Sequence, residues 1–101
     1  MALARTHTLR GVIEEAVRFH LDVTNDVLYL RFADKLEVEA HGEETEDGFI
    51  VLRSLADDEF VGVTVVGYWE RFGEGDLRQA TIGSIEAGIE AVAERVLKVA
   101  V

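Results

Sequence analysis

The chain has 101 residues and a formal net charge of −10, from twenty acidic and ten basic side chains. A surface this acidic repels nucleic-acid phosphates and anionic lipids, so we expect no direct binding to nucleic acid and none to a membrane, whereas a basic protein partner suits the charge. The chain has no Cys, which excludes disulfides, thiolate catalysis and Cys-based zinc sites, and no apolar run approaches the ~20 residues that cross a bilayer. We therefore expect a single cytoplasmic domain.

Residues 1–16 predict an N-terminal extension that contains a short helix. Its apolar side chains recur at helical spacing and form one stripe: Leu9, Val12, Ile13, Ala16 and Val17. Thr8 is a suitable N-cap, so we expect the helix to begin near Leu9, although Gly11 weakens it by about 1 kcal/mol relative to Ala.

Residues 17–67 alternate between apolar and polar side chains, which predicts a run of β-strands. Five segments carry the alternation: Val17–Leu21, Val27–Phe32, Leu36–His41, Phe49–Arg53 and Phe60–Val66. The segments between them are short and rich in turn residues, so we expect antiparallel neighbours in a β-meander of four or five strands. Gly62 and Gly67 are expected to mark a bulge or a close approach of two backbones.

The remaining residues predict an aromatic connection at 68–80 and a C-terminal helix at 81–100. The helix has an apolar heptad seam formed by Ile82, Ile85, Ile89, Val92, Val96 and Val99. We therefore predict an α+β domain in which this helix packs on one face of the sheet or at a dimer interface. A homodimer is expected, because the valine-rich last strand, the seam and the aromatic residues exceed what one small sheet can hide.

Residues 19–67 match the pattern of a known family. Asp22, three further residues, Asp26 and Val-Leu-Tyr-Leu-Arg-Phe are followed by Glu-Asp-Gly-Phe-Ile-Val at 46–51 and Phe-Val-Gly-Val-Thr-Val at 60–65. Together these segments resemble the prokaryotic family numbered twenty-two eighty-three among domains of unknown function, whose members typically contain Tyr-Asp-x-x-x-Asp-x-Leu-Tyr-Ile. The resemblance implies a small antiparallel sheet and carries no catalytic assignment. The gene setting of such proteins implies an antitoxin-like inhibitor of a basic partner.

Asp22 and Asp26 suggest either a cation site or an acid/base pair, because two carboxylates held close together perturb each other's pKa. We favour a structural role, in which both side chains accept backbone hydrogen bonds and cap the turn before the central strand. Four other side chains carry metal-ligating atoms at scattered positions: His7, His20, Glu39 and His41. Their spacing matches no ligand motif, so we expect no metal and no cofactor.

The favoured function is a non-enzymatic interaction module that masks a basic protein. Its candidate interaction residues are Tyr68, Trp69, Phe72, Glu37, Glu39, Glu43, Glu44, Glu46 and Asp47. The three aromatic residues would either anchor that interface or roof the sheet core. The alternative is a small-molecule-binding or enzymatic domain with a cleft near His20, Tyr29 and Trp69, in which His20 and Tyr29 form an acid/base pair across a hairpin.

Overall fold

The computed structural model describes residues 8–13, 16–46 and 48–100 of the chain. Within these residues the chain forms a six-stranded antiparallel sheet, a short helix and a long helix. The strands are β1 Thr8–Ile13, β2 Val17–Asp22, β3 Val27–Phe32, β4 Ala40–Glu44, β5 Phe49–Ser54 and β6 Phe60–Val66. The helices are α1 Tyr68–Phe72 and α2 Ile82–Ala100. The predicted α+β class, with an antiparallel sheet and a C-terminal helix, is confirmed.

The strand order in the sheet is β1-β2-β3-β6-β5-β4, so two three-stranded meanders meet at the β3–β6 pair. The prediction of one continuous meander is wrong at this point, because β3 pairs with β6 and β4 lies at the far edge. Short connections do favour antiparallel neighbours, but residues 33–39 are long enough to carry the chain past two strands.

The segment after β3 is not the strand predicted at Leu36–His41. A 3₁₀ turn at Ala33–Lys35 follows β3, and β4 begins only at Ala40. The reason lies in Arg31, whose Nη1 donates hydrogen bonds to the backbone oxygens of Leu36 at 3.1 Å and Val38 at 3.0 Å. Carbonyl groups bound in this way are satisfied without a neighbouring strand.

The helix predicted near Leu9 is wrong, because β1 occupies this segment and pairs with β2 along its whole length. Gly11 disfavours a helix and suits the strand, since it lies opposite Phe19 and an added Cβ would come 2.6 Å from the Phe19 ring. The rest of the predicted extension, at residues 1–7, 14 and 15, lies outside the described residues.

The C-terminal helix lies on one face of the sheet and completes the core. From the predicted seam, Ile85 and Ile89 are fully buried and Val92 is nearly so, and they pack with the apolar residues of β2, β3 and β6. Thr81 caps the helix, because its Oγ1 accepts a hydrogen bond from the Ser84 backbone N–H at 3.1 Å. The side chains of residues 96–100 lie outside the description.

The features that predicted a homodimer are mostly buried within one chain. Three valines of β6, three seam residues of α2 and two of the three aromatic side chains all lie in the interior. The homodimer stays a prediction, but this argument for it no longer holds. In the described part of the chain, neither helix is long and apolar enough to cross a bilayer.

Candidate functional site

One face of the sheet carries no helix in the described part of the chain, and we call it the open face. Residues paired across neighbouring strands lie on the same face, so the register identifies its side chains. One row consists of His20, Tyr29, Thr64, Ile50 and Glu44, and the next of Arg18, Arg31, Gly62, Leu52 and Gly42. Tyr29 is 43% exposed and Val66 51%, so this face presents apolar surface to solvent.

A cleft of about 440 Å³ opens on this face at β2 and β3. The residues that line it include Arg18, Phe19, His20, Tyr29, Arg31 and Leu36. None of the lining residues that the structure describes is acidic, although the chain as a whole has twice as many acids as bases. The cleft therefore combines apolar surface with positive charge in an acidic protein.

His20 and Tyr29 lie directly opposite each other on β2 and β3. Their ring centroids are 5.6 Å apart, and the ring planes are inclined by 50°. The predicted contact across the hairpin is confirmed. Nε2 of His20 is buried and has no hydrogen-bond partner among the described residues. An unpaired buried polar atom costs about 1–3 kcal/mol, so this nitrogen is a site where a ligand group could regain a hydrogen bond.

Arg18 and Arg31 are charged residues of the cleft that the sequence analysis did not place there. They form a cross-strand pair in the next row after His20 and Tyr29. Arg18 is exposed and Arg31 half-buried. The hairpin register that predicted His20 beside Tyr29 also predicts Arg18 opposite Arg31, so the signal was present in the sequence.

Trp69 does not belong to this cleft, which corrects the predicted set of His20, Tyr29 and Trp69. It is only 8% exposed, packs in the core between the sheet and α2, and donates its indole N–H to the Gly75 oxygen at 3.0 Å. It also borders a separate cavity of about 350 Å³ together with Asp26 and Asp76. The core face attracts this side chain because it buries the large ring and satisfies the indole N–H.

Tyr68 and Trp69 roof the core and are not surface anchors, so their assignment as interaction residues is wrong. Tyr68 is fully buried, and its hydroxyl donates to the backbone oxygen of Ile85 at 3.1 Å. Burial raises the pKa of Tyr68, and the charge of Asp26 raises it further, so this side chain stays neutral. Phe72 is half-buried and stacks on Phe49 at 6.2 Å.

Asp22 has the turn-capping role predicted for it. Its Oδ1 accepts from the Asn25 backbone N–H at 3.1 Å, and its Oδ2 accepts from the Asn25 side-chain amide at 2.8 Å. These hydrogen bonds, above all that from the Asn25 side chain, hold the pKa of Asp22 below its usual value.

Asp26 caps a distant helix and not its own turn, which corrects the second half of that prediction. Its carboxylate accepts from the backbone N–H groups of Trp69 at 2.7 Å and Glu70 at 3.1 Å. Its backbone oxygen accepts from Gly67 at 2.8 Å and Tyr68 at 3.2 Å. Asp26 thereby satisfies the first N–H groups of α1, which have no partner within that helix. The two carboxylates serve separate structural tasks.

The acidic candidates gather around β4, which forms one edge of the sheet in the described chain. All those described are exposed: Glu37, Glu39, Glu43, Glu44 and Glu46. Asp47 lies outside the described residues. The charge at this edge is partly neutralised, because Arg53 Nε lies 3.7 Å from the Glu43 carboxylate.

His41 lies beside two carboxylates and not beside the other histidines. Its Nε2 is 3.2 Å from Oδ1 of Asp58, and one ligand atom each of His41, Glu43 and Asp58 lie within 4.8 Å of one another. The cluster is open to solvent and adjoins Arg53, so ion pairing accounts for it without a metal. Three strands lie between His41 and His20 in the sheet, and His7 lies outside the described residues.

No protein-family model matches the chain, and neither a curated protein nor a solved structure matches it. The family resemblance of residues 19–67 therefore stays a prediction.

Proposed function

We propose that this protein is a small-molecule-binding domain whose site is the cleft on the open face. The observation that supports this most is the cleft itself, in which His20 and Tyr29 adjoin two arginines at a solvent-open cavity of about 440 Å³. A concave, mainly apolar site with a few convergent polar groups is the usual form of a ligand pocket.

The lining favours binding over catalysis. Among the described residues that line the cleft there is no Ser, Thr, Cys, Asp or Glu, and the groups suited to proton transfer are His20 and Tyr29. A general acid or base without a nucleophile or an activated water does not define a reaction. The function that follows from these groups is recognition of a ligand.

A fragment screen followed by two-dimensional ¹H–¹⁵N NMR tests this function. We expect fragments that bind to shift the backbone amides of β2, β3 and Leu36. Leu36→Ala removes apolar contact from the cleft and should weaken a bound fragment by roughly threefold or more. Leu55→Ala is the matched control, because Leu55 is 61% exposed and does not line the cleft. The proposal fails if no fragment shifts these amides, or if the two variants affect binding equally.

A second candidate function is the antitoxin-like masking of a basic protein. The observation that favours it is the exposed, acid-rich edge at β4, to which an extended basic segment could add as a further strand. A double change, Glu44→Gln with Glu46→Gln, should weaken the binding of an arginine-rich peptide. Glu86→Gln with Glu90→Gln removes the same charge from the exposed side of α2 and should have less effect. Equal effects would indicate attraction by net charge alone.

A further inference from the structure

We propose that the ligand of the cleft is a small organic anion, with an acidic group at Arg18 and Arg31 and an apolar body against the rest of the lining. This inference rests on the proposed binding function and adds the chemical class of the ligand. A carboxylate is the simplest group that fits, since a guanidinium presents a planar set of donors to it.

The pairing of Arg18 with Arg31 is the first support. The two residues face each other directly on antiparallel strands, where like charges repel and destabilise the sheet. An anion bound to both guanidinium groups would convert this repulsion into two attractions. The repulsion destabilises the ligand-free protein, and a bound anion would reduce it.

Neither arginine is neutralised by an acidic side chain within the described chain. Other cations in this acidic protein do have carboxylate neighbours: Lys35 lies 3.8 Å from Glu59, and Arg53 lies 3.7 Å from Glu43. The one acid within β2 is Asp22, whose carboxylate accepts hydrogen bonds from Asn25. As far as the described residues go, the positive charge in the cleft is therefore available to a ligand, and apolar walls strengthen its field.

Arg31 is held in place before any ligand arrives. Its Nη1 donates to three backbone oxygens, those of Lys35 at 3.4 Å, Leu36 at 3.1 Å and Val38 at 3.0 Å. These bonds use one end of the guanidinium and leave Nε and Nη2 without a partner in the described chain. A fixed guanidinium loses little conformational entropy on binding, which favours affinity for a small ligand.

The remaining lining residues determine the chemistry of the rest of the ligand. Tyr29 and Leu36 supply apolar surface, and the buried Nε2 of His20 can supply one hydrogen bond. A short aromatic or branched aliphatic acid suits this combination of apolar wall and paired cations better than a bare inorganic anion does.

Benzoate and benzamide are the probes, because they have nearly the same shape and differ in charge. Titration of the full chain, followed by NMR, should give a dissociation constant about tenfold lower for benzoate, since hydrogen bonds to a charged group are the stronger ones. Arg18→Gln should raise the dissociation constant of benzoate about tenfold and change that of benzamide by less than about twofold. Arg95→Gln is the control, because Arg95 is an exposed arginine of α2, on the other side of the sheet.

The outcomes separate the inference from the function on which it rests. Equal affinity for benzoate and benzamide at the cleft would overturn the anion class and leave the binding function standing. An equal loss of benzoate affinity in Arg18→Gln and Arg95→Gln would also overturn the anion class, because a general charge effect would then explain the affinity. Failure of every screened fragment to bind the cleft would overturn both. Since Arg18 is exposed, its replacement should not disturb folding.

Discussion

At the scale of single residues, the two carboxylates that suggested a cation or acid/base site have structural roles, and the candidate site is a different group of side chains. Asp22 and Asp26 cap a turn and a helix, whereas His20 and Tyr29 border the cleft. Both roles of the acids follow from the need of backbone N–H groups for acceptors. The local role of Asp22 could be predicted from its neighbours, but that of Asp26 could not, because its partners lie more than forty residues away.

Asp26→Asn tests the long-range cap. Asp26 has a φ of 54°, a left-handed conformation that Asn tolerates, so this change keeps the backbone and alters only the carboxylate. Loss of one charged acceptor at the start of α1 should reduce the free energy of unfolding by about 1–2 kcal/mol, measured with urea. Asp34→Asn, at an exposed position in the 3₁₀ turn, should change it by less than about 0.5 kcal/mol.

Asp22 should show a pH-dependent contribution to stability. Its pKa is lower in the folded chain than in the unfolded chain, so its stabilising effect is complete above the usual value of 3.8 and is lost as the pH falls through the folded-state pKa. We expect the difference in melting temperature between the wild type and Asp22→Asn to shrink as the pH falls from about 6 to about 3. A difference that stays constant over this range would contradict the assignment.

Asn25→Ala removes the main cause of that shift. The pKa of Asp22, followed by NMR of its carboxyl carbon, should rise towards its usual value in this variant. Thr24→Ala is the control. Thr24 lowers the pKa of Asp22 through a backbone hydrogen bond, which the Ala side chain leaves in place, so this change should move the pKa of Asp22 less.

At the scale of elements, alternation in the sequence predicted most strands but not how they pair. Strands β2 and β3 appear at the predicted positions, and so does α2. The pairing of β3 with β6 was missed because period-two patterns identify a strand and its faces, not its neighbour. The turn after β3 was missed for a similar reason, since a hydrogen-bonding arginine overrides the alternation of residues 36–41.

Two glycines should respond to Ala in opposite ways. Gly62 lies at the bulge between β5 and β6, as predicted, and an added Cβ would come 2.3 Å from the backbone oxygen of Leu30. Because that backbone is paired in the sheet, Gly62→Ala should lower the free energy of unfolding by about 2 kcal/mol or more. Gly83 lies near the start of α2 with open space around it, so Gly83→Ala should raise it by about 0.5 kcal/mol. Chemical denaturation of both variants measures the contrast.

At the scale of the whole molecule, the distribution of charge distinguishes the two faces of interest. The chain is strongly acidic and its β4 edge is lined with exposed acids, yet the described residues that line the cleft on the open face are neutral or positive. The net charge predicted a basic partner but could not predict that this cleft is locally positive. Composition averages over the surface, whereas a binding site depends on which few side chains the fold brings together.

Salt separates the charged from the apolar part of binding at the cleft. Raising NaCl from about 20 to about 300 mM should weaken benzoate binding severalfold, because chloride competes for the arginines and the ions screen their charge. The affinity for benzamide should stay almost unchanged. Titrations at the two salt concentrations measure this. A parallel change for both probes would mean that charge does not select the ligand.

The most direct test of the central claim is a map of amide shifts in the ¹⁵N-labelled protein as benzoate is added. We predict that the largest changes fall on residues 18–20, 29–31 and 36, which surround the cleft on the open face. Shifts concentrated at the β4 edge or on α2, or no saturable shifts at all, would contradict the claim that this cleft binds small organic anions.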